Sequence, residues 1–235
     1  MPEDAPGIPA LLADATRSGR GLSRLSPTAC AQALGLDSLT LCLRIESGLE
    51  LVWYDPATID ALVFEDLQYT LGEGPTPDAA RTGQPVLVPD LHTLPDTRWP
   101  ALLPATRHRP PRAVHALPLH LGARRLGAVT GHRAAPGPLT PAHMAAFLTL
   151  ADGALTLLTT PEGIHDMRAD QPLSLHRAVV HQATGALTVQ LGIPADQALS
   201  RLRAYAFTHN RPLHEVAHDV VHHHTRLDNR DTPHH

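Results

Sequence analysis

The sequence predicts an α+β first domain, an antiparallel sheet flanked by helices, followed by a small three-helix domain. Three observations predict this. Leu39, Leu41, Leu43 and Ile45 alternate with Thr40, Cys42 and Arg44, the two-residue period of a half-buried strand. Paired strand segments meet at short turns holding Gly48 and Gly122, so they close as hairpins. From Ser174 to Val221 the apolar period lengthens to that of helices, in three runs broken near Gly192 and Asn210.

Taken in order, residues 1–21 hold Pro2, Pro6 and Pro9 among small and charged residues and read as a flexible start, with a short helix near Ala10 to Ala15. Pro27 in a first turn and Gly35 just past a last one bracket a helix. Leu39 to Ile45 turns at Glu46-Ser47-Gly48 into a second strand, Leu49 to Tyr54. Gln84 to Pro89 is a short strand, and Val114 to Leu121 with Leu126 to His132 form another hairpin. Between the hairpins fall short helices, Pro75 to Thr82 and Trp99 to Thr106. Thr140-Pro141 opens a long apolar helix to Leu158. Helices segregated from antiparallel hairpins make the class α+β. The division is residues 22–158 for the first domain, 159–172 for a linker, 173–227 for the helical domain and 228–235 for a tail.

In the helical domain Ser174 is placed to cap the first helix, with Leu175, Val179, Ala183, Ala186 and Leu187 inward. The second helix buries Ala198, Leu199, Leu202, Tyr205 and Ala206, and Asn210 ends it. The third buries Leu213, Val216, Ala217, Val220 and Val221. So small a unit buries little core and leans on a partner copy or on the first domain.

Composition narrows the function classes. A formal charge of −4 gives no general pull toward nucleic acid. No apolar run suffices to span a bilayer, and the N-terminus lacks the cationic start of a signal peptide, so the expectation is a cytoplasmic protein without a membrane partner. Cys30 and Cys42 form no CxxC pair and read as buried, reduced thiols. There is no GxSxG, HExxH, P-loop or GxGxxG in a βαβ setting, so no catalytic residues are expected.

Two ordered sets of residues resemble known families. Arg177 with Ala178-Val179-Val180, then Gln182-Ala183, Gly185, Leu191-Gly192, Leu202-Arg203, Tyr205-Ala206, Asn210-Arg211, Leu213 and Val216-Ala217 resemble an ANTAR domain. Leu71-Gly72-Glu73-Gly74-Pro75, Asp78-Ala79-Ala80, Gly83-Gln84-Pro85-Val86, Pro89-Asp90-Leu91 and Arg98-Trp99-Pro100 resemble a GAF domain of the kind fused to ANTAR modules in actinobacteria. Two positions depart. The ANTAR pattern carries a lysine where Thr184 stands, and related GAF domains often carry a cysteine where Thr76 stands.

The resemblance implies a transcription regulator. It would bind RNA, hairpin leader transcripts, through the ANTAR domain and promote antitermination, with the GAF domain sensing a signal or dimerising. Arg177, Thr184, Arg203, Tyr205 and Arg211 are the expected RNA-binding residues. The alternative is a regulator whose ANTAR-like helices dock a partner protein. From Pro172 to Asp228 five arginines face four acids, which disfavours strong non-specific binding but leaves stacking and arginine contacts to splayed bases open. A small-molecule ligand of the GAF pocket would lie over the sheet, with Trp53, Tyr54, Phe64 and Tyr69 as candidate walls or, equally, as core residues. No cofactor and no metal are expected. His214, His218 and His222 share one face of the third helix at a metal-chelating spacing, but read first as a solvated face. A homodimer is expected, formed in part by the helix from Thr140 to Leu158, which carries more apolar surface than one face requires.

Overall fold

The structure is a computed structural model that describes residues 6–19, 21–45, 48–107, 111–160, 175–209 and 211–222. The expected linker from 161 onward, the Ser174 cap, Asn210 and the tail lie outside the described residues. The chain divides into two compact units.

The first unit is a five-stranded sheet with helices on both faces. Its strands are β1 (Ser38–Ile45), β2 (Gly48–Tyr54), β3 (Val86–Val88), β4 (Ala113–Leu121) and β5 (Arg124–Arg133), in spatial order β2-β1-β5-β4-β3. Its helices are α1 (Ile8–Ser18), α2 (Pro27–Ala33), α3 (Ile59–Leu71), α4 (Pro75–Thr82), α5 (Leu102–Thr106) and α6 (Pro141–Leu158). β5 runs antiparallel between β1 and β4, with Leu41 and Leu117 both opposite Val129.

The pleat sends alternate residues to opposite faces. One face is apolar. Leu39, Leu41, Leu117, Leu119 and Val129 are buried there against Leu34, Phe147, Leu150 and Ala154. Trp53 joins this cluster, and its indole N–H donates to the Leu25 carbonyl at 2.7 Å. Burial of each such aliphatic side chain contributes roughly 1.5–3 kcal/mol, which makes this face the anchor of the unit.

Helix ends follow their punctuation. The Ser26 and Thr140 hydroxyls accept backbone N–H bonds at the starts of α2 and α6, each followed by proline. Two expectations are corrected. The N-terminal segment is not loose throughout: α1 spans 11 residues and buries Ile8 and Ala15, because its apolar side packs on α6, with Leu12 over Gly153. By length and composition α6 is also apolar enough to cross a bilayer, with mean hydropathy 1.3, contrary to the sequence reading. Here Phe147, Leu150, Ala151, Ala154, Leu157 and Leu158 are instead buried in the core. The third difference is α3, a 13-residue helix where no helix was expected.

The second unit consists of α7 (Leu175–Leu191), α8 (Ala195–Thr208) and α9 (Leu213–Val221). Val180, Ala183, Thr184 and Leu187 are the buried residues of α7 at the spacing of one helix face. Ala186, expected inward, is exposed, and Val179 is half-buried. Ala198, Leu199, Leu202 and Ala206 meet them from α8, and Leu213, Val216, Ala217 and Val220 from α9.

Candidate functional sites in the two units

The second face of the sheet is polar inside. Thr40 on β1 and Thr130 and His132 on β5 are buried beneath α3 and α4. Glu65 and Gln68, three residues apart on α3, point down at them and are buried as well. The Glu65 carboxylate accepts from the Thr40 hydroxyl at 3.2 Å and the Thr76 hydroxyl at 2.9 Å. His132 Nε2 lies 3.0 Å from the same oxygen. Thr76, near the start of α4, is the hub. Its oxygen receives Gln68 Nε2 at 3.0 Å and meets the Thr130 hydroxyl at 2.9 Å, while its backbone N–H donates to Gln68 Oε1 at 2.9 Å. A buried carboxyl is tolerated only with such a set of donors.

This layer opens to the surface at one end. A cleft of about 270 Å³ is lined by Ser38 and His132 at its floor, the Ala57–Ala61 start of α3 on one side, and Arg133 with Asp37 at its rim. Ser38 Oγ is 3.4 Å from His132 Nδ1, so the cleft touches the network through the imidazole. Phe64 packs edge-on against that ring at 5.9 Å. Of the four expected walls, Trp53 is corrected outright: it sits in the apolar core on the opposite face. Phe64 and Tyr69 are buried on α3 and Tyr54 is half-buried, and none of the three lines this cleft. The functional-looking residues here are Ser38, Glu65 and His132, which the sequence reading did not single out.

In the helical unit the expected residues separate. Arg177 lies in the first turn of α7, and its side chain is outside what the structure describes. Thr184 is buried at 1% exposure and its hydroxyl donates to the Val180 carbonyl at 2.7 Å, which places it in the helical core and away from any surface on which RNA would lie. Arg203 is half-buried on α8. Tyr205 is half-buried rather than core, its ring stacked on His209 at 3.8 Å. Arg211 donates to Asp219 at 2.8 Å with Glu215 at 3.8 Å, and the Asp219 carboxylate raises its already high pKa further. His214, His218 and His222 are exposed along α9. Among the described residues no three His, Cys, Asp or Glu side chains are grouped to hold a metal ion.

These geometries can be set against known proteins. The GAF domain family model matches residues 19–158, more than half the chain. The chain belongs to the GAF family. An ANTAR domain model matches residues 175–221, so a GAF domain precedes an ANTAR domain. Among solved structures the fold resembles the GAF domain of an Acinetobacter phosphoenolpyruvate-protein phosphotransferase, at 13% identity over 70% of this chain and 95% of that one, with TM-score 0.52. A free methionine-R-sulfoxide reductase from Neisseria meningitidis matches at 14% identity over 67% of this chain and 88% of that one, with TM-score 0.47. Comparison with curated proteins returns no match.

The GAF motif residues now have physical roles. Gly74 sits at φ 128, where an added Cβ would lie 2.4 Å from Gln68 Oε1 and 2.8 Å from Leu102, so the turn into α4 requires glycine. Glu73 accepts the N–H groups of Ala101 and Leu102 at 3.0 and 3.3 Å, fixing the start of α5. Asp78 accepts the Trp99 indole N–H at 3.0 Å, tying the second motif to the fifth. Both cysteines of the GAF domain are buried and free of disulfide. Burial pushes the Cys30 thiol up to about 12, so it stays a thiol at neutral pH and makes a poor nucleophile.

Proposed function

We propose that this protein is a cytoplasmic transcription regulator that binds hairpin-bearing leader RNA through its ANTAR domain and promotes antitermination. The observation that carries this is the ANTAR match over 175–221, which coincides with three helices whose middle member bears two half-buried arginines, Arg201 and Arg203. ANTAR domains are RNA-binding antitermination modules and GAF domains are sensing modules. The division of labour follows. The GAF domain takes a small-molecule signal or holds a second copy, and the ANTAR helices carry output.

For the GAF domain, the cleft ending on His132 is the entry we assign to a ligand. An occupant there would compete for Ser38 and His132 and so reach Glu65, Thr76 and the α3–α4 pair. Homodimerisation is part of the proposal, although α1 takes up some of the apolar surface of α6. Leu148, 49% exposed on α6, is what remains for a partner copy.

The deciding experiment is binding of the full chain to a labelled RNA with two adjacent short hairpins, against a scrambled RNA. Selective binding at or below about 1 µM is expected. Replacing Arg177 and Arg203 together should abolish it. Absence of binding in the unsubstituted chain would instead favour helices that dock a partner protein, a reading that buried Thr184 and acid-paired Arg211 support.

A further inference from the structure

Ser38, His132 and Glu65 stand in series behind the GAF cleft. Ser38 Oγ is 3.4 Å from His132 Nδ1, and His132 Nε2 is 3.0 Å from Glu65 Oε1. The three come from β1, β5 and α3, and all are buried. Ser38 and His132 line the cleft of about 270 Å³, and Glu65 lies on the far side of the ring. Direction follows from the neighbours of the carboxyl. The Thr40 and Thr76 hydroxyls donate to Oε1, and the Cys42 thiol donates to Oε2 at 3.7 Å. Glu65 is thus met as an acceptor, so His132 donates to it from Nε2 and turns the Nδ1 lone pair to the Ser38 hydroxyl. A hydroxyl, a base and a carboxylate that fixes the tautomer of the base make the arrangement of a serine hydrolase. That arrangement is recognised by geometry and not by order in the chain. A first step of 3.4 Å is long, as such steps often are until a substrate closes them.

We infer that Ser38 is a nucleophile that cleaves a small, neutral carboxylic ester held in this cleft. This rests on the cleft as the ligand entry assigned above and adds that the ligand is consumed. Ser38 Oγ attacks the ester carbonyl carbon while His132 Nδ1 takes the hydroxyl proton. The tetrahedral intermediate then breaks its bond to the alkoxy oxygen, which leaves as the alcohol with that proton. Water, giving a proton to His132, attacks the acyl-serine, and the acid departs as Ser38 regains its proton. The balance is one ester and one water to one acid and one alcohol. The oxyanion needs donors. Asp60 and Ala61 line the same cleft in the first turn of α3, where backbone N–H groups lack carbonyl partners. Thr58 spends its hydroxyl on the Asp55 carbonyl and caps none of them. The Asp37 and Asp60 carboxylates disfavour an anionic substrate, and Arg133 gives its guanidinium to the Pro138 carbonyl at 3.5 Å. Ile59, Pro111 and Ala134 offer apolar contact to a short carbon skeleton.

The test treats the full chain with a fluorophosphonate, which phosphonylates activated serines, and locates the label by peptide mass spectrometry. Ser38 should carry it. Hydrolysis of p-nitrophenyl acetate should fall by about a hundredfold or more in Ser38→Ala and in His132→Gln. Glu65 touches no substrate and positions the ring. Glu65→Gln presents an amide that can donate to Nε2, which moves the ring proton to Nδ1 and leaves Ser38 without a base. Its kcat should fall by a similar factor with KM and circular dichroism kept, whereas a purely structural carboxylate would lose the fold along with the rate. A label on another residue, or on none, overturns the inference. If the parent hydrolyses the ester and Ser38→Ala does so equally, the turnover belongs to other groups and the inference fails. An ester that raises the melting temperature without being cleaved overturns catalysis and leaves the cleft a ligand entry. An unlabelled chain that still binds the two-hairpin RNA overturns it too and leaves the regulator reading standing.

Discussion

The two faces of the GAF sheet are built on opposite principles. Toward α1, α2 and α6, the strands present Leu39, Leu41, Leu117 and Val129, which need only be excluded from water. Toward α3 and α4, the same strands present Thr40, Thr130 and His132, each meeting a named partner. The apolar face tolerates neighbours of any orientation, since its stabilisation scales with area. The polar face tolerates little, because each lost partner leaves a buried donor or acceptor without compensation. One face anchors the domain; the other can report a disturbance at its edge.

The comparison is broken most severely at Glu65. Glu65→Ala withdraws the acceptor shared by Thr40, Thr76 and His132 and should cost about 3–5 kcal/mol, since each buried donor left without a partner costs about 1–3 kcal/mol. Leu41→Ala on the opposite face should cost a similar 2–5 kcal/mol. Glu65→Gln, which keeps the volume, should recover part of the loss, as Leu41→Met should on the apolar face. Urea melts followed by tryptophan fluorescence suit this, since Trp53 and Trp99 both lie in the GAF unit. Equal losses for Ala and Gln at 65 would mean that shape, not bonding, governs the polar face.

Gly74→Ala should come next. Its backbone region costs non-glycine residues about 1–3 kcal/mol, with the contact to Gln68 added. A melt unchanged from the parent would show that the α3–α4 turn is free to adjust. Thr76→Val keeps shape and deletes the hub hydroxyl, with an expected loss of about 1–3 kcal/mol. Thr76→Ser should stay within about 1 kcal/mol of the parent, and a Ser variant as damaged as Val would move the importance to the methyl group.

The smallest effect is on pH and belongs to the apolar side. His115 on β4 is buried at 1% exposure, and burial, with Arg133 and His132 nearby, lowers its pKa below the ordinary value despite a backbone contact from Gly137. The fold thus favours the neutral ring. The stability this gives is complete above about pH 6.5, the unfolded value, and is lost as pH falls below it toward the lowered value. At most one proton is involved, so the slope stays under about 1.4 kcal/mol per pH unit. His115→Leu should flatten the melting temperature between pH 7 and pH 5; an unaltered slope would assign the acid sensitivity elsewhere.

Much of the apolar half was legible. Alternation in Leu39 to Ile45 gives β1, and Thr140-Pro141 gives the start of α6, because exclusion from water writes itself as period and proline or glycine mark the ends. The polar half was not. In α3 the inward positions include Glu65 and Gln68 beside Ala61, Phe64 and Tyr69, so the helix that covers the candidate cleft shows no clean apolar stripe and was assigned no element. Trp53 was misplaced for a related reason. Its size marks it as buried but cannot say on which side of a strand, and the sheet gives it to the α6 side. Tyr205 and Ala186 show the same limit in helices: composition fixes that one face is buried, while packing between helices fixes its centre.

One feature reaches beyond this single chain. The Thr76 hydroxyl ties α4 to α3, through Glu65 and Gln68, and to β5, through Thr130. No one of these positions can change its hydrogen-bonding character without stranding the others. In evolutionary terms they form a unit of joint inheritance. Relatives that carry a residue without a hydroxyl at position 76 should differ at 65, 68 and 130 as well, and lineages should cross between the two sets in few steps, with stable sequences on either side and few between.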